Sequence, residues 1–343
     1  MITLPKVIFG TSGLGNLYVA LPDEVKLAIV QAYIEGISRT GIPFFDSAGK
    51  YGAGLALESL GACLDKLNIA SDKVHISNKL GWLRVPLTTE EPTFEPGVWK
   101  GLKYDAVQKI SYDGILECYE QGNNLLGNYH SNYASVHDPD EYLAAADGAK
   151  EAEKRYQDIL SAYNALHELK KEGKVSAIGI GAKDWHSIAR IDKDVQLDWV
   201  MIANSMTLHS HPSDLIDFLK KLNRQGTVII NSAVFNGGFL TGGEYYNYKP
   251  IDDGSEAGKK MLDWRDRFFS ICERFGLTPA GACMQFGSLA TGVESIAIST
   301  SNPKRVAPNL SLIDHAIPED FWLTLYEEEL ISKEGLEMVT AAD

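Results

Sequence analysis

Short apolar runs recur along the chain, spaced widely enough for a helix between most neighbouring pairs. KVIFG (6–10), IPFFD (42–46), VHISNK (74–79), YASVHD (133–138), VSAIGIG (175–181), WVMIAN (199–204), TVIINS (227–232) and SIAIS (295–299) are near-continuous and rich in β-branched residues. Such runs predict strands buried on both faces. Between most of them, apolar residues fall at helical spacing. Val25, Ala28, Ile29, Ala32 and Tyr33 form a stripe over 23–37, and Leu57, Leu60, Leu64 and Leu67 another over 54–68. Ile159, Tyr163, Leu166 and Leu169 do the same over 155–171, before a helix-ending Gly173. Pro279 suits the first turn of a helix running to Leu289. The tail EEELISKEGLEMVTAAD reads as one helix that then frays.

Eight such strands alternating with helices predict a parallel sheet with helices outside, and its closed form is a (β/α)8 TIM barrel. The open doubly wound sheet is the alternative. At 343 residues the chain is in range for one barrel with insertions, so a single domain over 1–343 is expected. One segment breaks the alternation. Residues 81–105 (GWLRVPLTTEEPTFEPGVWKGLKYD) are rich in Pro and Thr and carry Trp82, Phe94, Trp99 and Tyr104. A long loop at the active face of a barrel reads as a cover over the substrate; the plainer reading is a surface excursion packed by its own aromatics.

Charge and composition narrow the partners. The formal net charge of −14 argues against nucleic acid, whose phosphates need clustered Lys and Arg. No apolar stretch reaches the roughly 20 residues of a membrane span. The start, MITLPKVIFGTSGLG, shows no basic n-region and apolar h-region, so no secretory signal is expected. Cys63, Cys118, Cys272 and Cys283 form no CxxC and read as reduced thiols of a cytoplasmic protein.

The chemistry lies at the strand ends. Asp46 follows IPFF, Tyr51 lies in the next turn (DSAGKYG), Lys79 follows VHISN, and His137 follows YASV. A barrel builds its site at the C-terminal ends of its strands. A tyrosine with a free pKa of about 10 needs help to exchange protons at neutral pH. A nearby ammonium favours its phenolate, a carboxylate can hold that ammonium, and a neutral imidazole can orient the reacting oxygen. His209 and His211 would share one face of a strand, but no third ligand stands at metal spacing, so they read as loop histidines and no metal is expected. The run EEE (327–329) reads as a solvated helix face.

The ordered set FGTSGLG (9–15), FFDSAGKYGAG (44–54) with ESLG (58–61), SNKLG (77–81), VHDPDEY (136–142), GKVSAIGIG (173–181), NSAVFNGGFLTGG (231–243) and TSNPKRVAPNL (300–310) resembles the aldo-keto reductase superfamily from end to end. VHDPD and the AVFNGGFLTGG loop look most like its aldose 1-dehydrogenase branch, which includes D-threo-aldose, L-fucose and L-galactose dehydrogenases and a pyridoxal dehydrogenase. The resemblance implies Tyr51 as catalytic acid/base, Lys79 lowering its pKa, Asp46 pairing with Lys79, and His137 hydrogen-bonding the substrate oxygen. It implies cofactor contacts at Gly10, Thr11, Asp46, Ser232, Ala233, Val234, Phe235, Asn236, Gly238, Leu240, Ser299, Thr300, Arg305 and Asn309. Ser12, Tyr51, Trp82 and His137 are the expected substrate contacts, Trp82 because it follows Lys79 by three residues and could wall the pocket.

GTSGLG is not in GxGxxG order and opens no dinucleotide-binding βαβ unit, so a Rossmann reading is discarded. Four positions depart from the family's usual pattern. The Ser-Asn that commonly holds the nicotinamide carboxamide reads Gly181 and Ala182, the stacking aromatic reads Asn231, and the cation that commonly grips a 2′-phosphate reads Ser299, with Arg305 kept. The last favours NAD over NADP, because a ribose hydroxyl needs only a neutral partner. The expected reaction is oxidation of a small aldose at C1 to a lactone. The alternatives are a broad-range NADPH-dependent carbonyl reductase and a cofactor-bound sensor without turnover.

Overall fold

The computed structural model describes residues 2–37 and 41–341. Met1 and the last two residues of the tail lie outside that range. Eight strands form a closed parallel barrel in chain order: β1 (Val7–Gly10), β2 (Phe44–Ala48), β3 (His75–Leu80), β4 (Tyr133–His137), β5 (Ala177–Ala182), β6 (Trp199–Ala203), β7 (Val228–Ser232) and β8 (Val293–Ile298). All eight expected strands are present, displaced by up to two residues at their ends. The displacement matters at β2, which begins at Phe44 rather than Ile42 and runs two residues past Asp46. Asp46 and Lys79, expected as the last residues of their strands, therefore lie inside them, where register fixes them.

Helices flank the strands: α1 (Asp23–Ile37), α2 (Leu55–Lys66), α3 (Tyr112–Leu126), α4 (Gly148–Lys171), α5 (Trp185–Ile191), α6 (Ser213–Gln225), α7 (Glu256–Arg274) and α8 (Pro279–Ser288). The helix expected from 155 starts earlier, at Gly148. The tail departs from expectation. Helix Glu319–Glu327 ends in a turn containing Glu329 at φ 57°, and a second helix, Lys333–Thr340, follows with Ser332 Oγ accepting from Gly335 N–H as its N-cap.

Two compact units make up the chain, Met1–Met201 with Ala297–Pro308, and Ile202–Ile296 with Asn309–Asp343. In the first, Tyr33 of α1 is fully buried against Phe9 and Phe45, with ring centroids 5.2 and 5.0 Å away. Its hydroxyl lies 2.9 Å from Val7 O and 3.0 Å from Phe44 O, tying the helix to two strands and satisfying a phenol that burial would otherwise penalise. In the second, Leu215, Phe218, Leu219 and Leu222 of α6 turn inward, and Phe268, Phe286 and Phe321 are buried. Thr278 Oγ1 accepts from Gly281 N–H and caps α8, with Pro279 at its first turn.

The segment after β3 is not a plain loop. Trp82–Pro86 and Tyr104–Gln108 pair as an antiparallel hairpin, Trp82 opposite Gln108 and Pro86 opposite Tyr104. Proline ends the first strand, where a missing N–H costs least. Between the strands, Phe94 and Trp99 are buried with Ala53 and Ala106, and Leu17, Tyr51 and Trp82 pack against that cluster. Leu17 and Trp99 form an antiparallel bridge, and Lys100 N–H donates to Asn16 O at 3.1 Å. The aromatics seen in the sequence thus anchor this excursion onto the loop after β1.

Candidate active site

Strand register brings the four candidate side chains together. Asp46 stands opposite Ser77 on the β2–β3 ladder, and Ala48 opposite Lys79. Lys79 in turn pairs with Ser135, and His137 with Gly181. Alternate residues share a face, so Asp46, Ser77, Lys79, Ser135 and His137 project to the same side. Asn78, between them, points the other way, to α3, where a Cβ on Gly122 would come within 2.3 Å of its amide nitrogen. β5 reads IGIG for a steric reason. A Cβ on Gly181 would meet Lys79 Cδ at 2.9 Å, and one on Gly179 would meet the Trp199 ring at 2.2 Å. Gly181, which departs from the family pattern, is the space through which the lysine passes.

Lys79 Nζ forms an ion pair with Asp46 Oδ2, and both side chains are almost fully buried. Ser77 Oγ donates to the other carboxylate oxygen at 2.7 Å. The ammonium lies 4.9 Å from the Tyr51 ring centroid, and the Tyr51 and His137 rings meet edge-on at 5.5 Å. Tyr51 enters through the turn after β2. Close approach of Gly52 to Gly15 O, 2.2 Å from a hypothetical Cβ, demands glycine there.

The charges act in opposite directions on the tyrosine. Burial raises the Tyr51 pKa above its ordinary value, Lys79 pulls it back down, and the Asp46 and Asp138 carboxylates push it up again; the net direction is upward. Lys79 itself stays charged: burial disfavours its ammonium, but Asp46 and Tyr51 more than compensate. His137 is held neutral. Burial and the Lys79, Lys50 and Lys183 ammoniums lower its pKa well below 6.5. Its Nε2 lies 3.6 Å from Asp138 Oδ2, while its buried Nδ1 has no hydrogen-bond partner.

Three groups in the first unit were also named as contacts. Thr11 is turned into the fold: its Oγ1 lies 2.8 Å from Ser47 Oγ and 3.1 Å from Asp46 O. Ser12 is half-buried in the following turn. Gly10 abuts Ser299, whose Cβ is 3.6 Å from a hypothetical Gly10 Cβ, and Thr300 O stands 3.4 Å from one on Gly13. The loop after β1 and the segment after β8 therefore run side by side. Ser299 and Arg305 are exposed, and Thr300 Oγ1 accepts from Asn302 N–H at 3.1 Å. Trp82 is half-buried, its ring 5.9 Å from Phe94, with its Nε1 buried and unpartnered.

In the second unit the loop after β7 uses its side chains for itself. Val234 and Leu240 are buried, Ser232 Oγ donates to Ile202 O, and Asn236 Nδ2 reaches Asn204 O and Asn247 Oδ1. Ala233, Asn236, Gly237 and Gly238 all take left-handed backbone, with φ of 54°, 48°, 72° and 98°. Within the loop the N–H groups of Asn236, Gly238 and Leu240 are already taken, donating to Ala233 O, Phe235 O and Phe235 O. Gly238 faces open space, with nothing within 4 Å of a hypothetical Cβ, and Phe235 and Asn309 are half-buried. Asn231, where the family carries an aromatic, donates from Nδ2 to Met206 O and Gly287 O. The histidine pair is structural: His209 Nδ1 lies 3.0 Å from Tyr246 Oη, while His211 Nδ1 meets Thr207 O and its Nε2 accepts from Ser332 N–H. Among the described residues no cluster of His, Cys, Asp or Glu could hold a metal.

Sequence reading missed a second layer of charge. Lys50, Glu95, Asp138, Glu141 and Lys183 form an ion network beside Tyr51 and His137. Lys50 sits next to the tyrosine in DSAGKYG, and Asp138 and Glu141 lie inside VHDPDEY, so the signal was present in the motifs. What the motifs could not show was that four separate segments meet, bearing Lys50, Glu95, Asp138 with Glu141, and Lys183. The four cysteines are buried free thiols, and no helix among the described residues is long and apolar enough to cross a membrane.

Comparison with known proteins agrees with this arrangement. The profile of the aldo/keto reductase family matches residues 6–327. The chain is 28% identical over 345 residues to the pyridoxal 4-dehydrogenase of Microbacterium luteolum, covering 96% of each chain. It is 27% identical over 348 residues to a D-threo-aldose 1-dehydrogenase of a Pseudomonas species, covering 96% of this chain and 95% of the other. Among solved structures, a glycerol dehydrogenase from Gluconobacter oxydans superposes with a TM-score of 0.66 at 16% identity, over 94% of this chain and 91% of that one, a likeness of fold. With the family profile spanning nearly the whole barrel and the Asp46, Tyr51, Lys79 and His137 set inside it, this chain belongs to the aldo/keto reductase family, whose members are NAD(P)-dependent oxidoreductases acting on small carbonyl substrates.

Proposed function

We propose that the protein is an NAD-dependent dehydrogenase that oxidises a small neutral aldose, or a comparable cyclic hemiacetal, at its anomeric carbon to a lactone. The observation that carries the reading is the buried Asp46–Lys79 pair beneath the Tyr51 ring, with neutral His137 edge-on to that ring. In this reading Tyr51 as phenolate takes the proton from O1, while His137 Nε2–H donates to the same oxygen and orients the sugar. Asp46 holds Lys79 under the phenol, so the ammonium is already in place when negative charge develops there. Tyr51, His137, Trp82 and Ser12 are the proposed substrate contacts, with the 81–105 segment as cover.

The residues present fit a nicotinamide dinucleotide. Gly238, with open space where a Cβ would stand, lets a pyrophosphate approach the backbone after β7 closely. The proposed cofactor contacts are Ser232, Ala233, Val234, Phe235, Asn236, Gly238, Leu240 and Asn309 in the second unit, and Gly10, Thr11, Asp46, Ser299, Thr300 and Arg305 in the first. Bound nicotinamide supplies the acceptor for the hydride that leaves C1.

The ion network favours a neutral substrate, because Lys50 and Lys183 face three carboxylates, Glu95, Asp138 and Glu141. A phosphorylated sugar would add like charge beside that excess. Pyridoxal fits the same chemistry, since its aldehyde closes a hemiacetal with the neighbouring hydroxymethyl group. The four buried free thiols support a reducing compartment such as the cytoplasm. Incubation with NAD and a panel of aldoses plus pyridoxal, followed by the absorbance of reduced nicotinamide, tests the reading. Turnover only with NADPH and simple aldehydes would replace it with the reductase alternative.

Two expectations follow. Because burial raises the Tyr51 pKa, its phenolate is scarce at neutral pH and grows about tenfold per pH unit. Oxidation kcat/KM should therefore climb with a slope near one in the logarithm between about pH 6 and 9; a flat profile would remove Tyr51 ionisation from the reaction. For the cofactor, exposed Ser299 offers no charge to a 2′-phosphate, so NAD should bind at least as tightly as NADP, and Ser299→Lys should shift preference toward NADP. Fluorescence titration of both cofactors decides this. A tenfold native preference for NADP would show that Arg305 alone suffices.

A further inference from the structure

We propose that Lys50 is a positioning residue, a buried clamp that fastens the segment over the active site to the turn after β4 and so holds Trp99 against Tyr51. Its side chain is almost fully buried, and its Nζ lies 2.8 Å from Glu95 Oε1, 3.3 Å from Asp138 Oδ2 and 3.1 Å from Glu141 Oε2. These carboxylates come from two places far apart in sequence. Glu95 belongs to the connection inside the hairpin; Asp138 and Glu141 belong to the β4 end and the short helix Pro139–Ala144. An ammonium has three N–H donors, and three carboxylates take them. Lys50 therefore has none to offer a substrate and acts through its neighbours.

The far side of Glu95 completes the link. Its Oε2 accepts from Trp99 Nε1 at 2.7 Å, and the Trp99 ring packs on Tyr51 at 5.9 Å between centroids. Lys50 Nζ also lies 5.3 Å from the Trp82 ring, so the clamp touches both indoles of the segment. Two of the three carboxylates sit on left-handed backbone, Glu95 at φ 46° and Asp138 at φ 45°. Aspartate adopts that backbone readily, but glutamate rarely does, and the strain at Glu95 persists only where surrounding contacts over-determine it. Convergence on one ammonium is the contact both residues share. Lys183 closes the network from the β5 side, pairing with Glu141 and standing 3.6 Å from Asp138 Oδ2. Lys50 stays charged in this setting: burial works against its ammonium, but Asp138, Glu95 and Glu141 together outweigh it.

Hydrogen exchange on the intact protein tests the clamp. Amides in 87–103 should exchange at least tenfold faster in Lys50→Met and in Glu95→Gln, while those of α3 and α4 keep their native rates. The double variant should exceed the faster single by no more than about threefold, because both changes break one link; independent damage would add instead. Native exchange across 87–103 in Lys50→Met, or additive effects in the double variant, would overturn the proposal. Glu95→Gln acts from the segment's side alone and keeps the test valid should Lys50→Met fail to fold. The kinetic arm rests on the dehydrogenase reading: with NAD and L-galactose or pyridoxal, whichever turns over, KM should rise fivefold or more in each single variant and kcat should fall less. If neither compound turns over, that reading fails while the exchange result still decides the clamp.

Discussion

Tyr51→Phe should lower kcat by about 10²–10⁴-fold, the usual contribution of a positioned proton-transfer group, while cofactor affinity stays within a factor of about two. The substitution removes one hydroxyl and keeps the ring. The ring is what packs on Trp99 and meets His137 edge-on, so the fold around it should survive. The hydroxyl also carries the interaction with Lys79, and its loss leaves that ammonium paired with Asp46 alone. A native melting temperature with collapsed turnover identifies chemistry rather than folding as the cause. Turnover within a few-fold of wild type would end the assignment of Tyr51.

Lys79→Met should damage both activity and stability. Asp46 and Lys79 are both buried, and Asp46 would keep only the Ser77 hydroxyl. Removing one member of a buried pair typically costs about 3–5 kcal/mol, because the surviving charge is left uncompensated. The melting temperature should therefore fall visibly. In enzyme that remains folded, the Tyr51 pKa should rise further once its cation is gone, moving the rise of oxidation kcat/KM to higher pH. The methionine is unbranched and fills much of the lysine's channel past Gly181, which limits packing damage. An active variant with an unchanged pH profile would break the link between Lys79 and Tyr51.

The barrel was legible because its strands are buried on both faces and therefore read as unbroken apolar runs, while α1, α2 and α4 carry clear stripes. The tetrad was legible because each member abuts such a run. Register was not legible: the sequence put Asp46 and Lys79 at the ends of their strands, and the ladder sets them opposite Ser77 and Ala48. The hairpin after β3 was hidden because WLRVP and YDAVQ are too short and too mixed in polarity to stand out, and they need each other's hydrogen bonds. The break in the tail helix was hidden for a similar reason: ELIS continues the helical pattern, and only Ser332 capping a new helix reveals the stop. Motif reading pointed to Lys79 as a force lowering the tyrosine pKa. Its pull has that sign, but burial, which a sequence does not display, outweighs it. The Lys50 network lay in quoted motifs and still escaped, because the segment bearing Glu95 arrives only through tertiary folding.

The central claim is that hydride leaves the anomeric carbon of a neutral sugar as Tyr51 takes the O1 proton. Deuterium at C1 follows that hydride. The aldose that turns over best in the panel, deuterated at C1, should be incubated with NAD and the enzyme, and the reduced nicotinamide analysed by mass spectrometry. The account predicts one deuterium in the reduced nicotinamide and none when the label is placed at C2. Reduced nicotinamide without the C1 label, or no reduction of NAD by any neutral aldose in the panel, would contradict it.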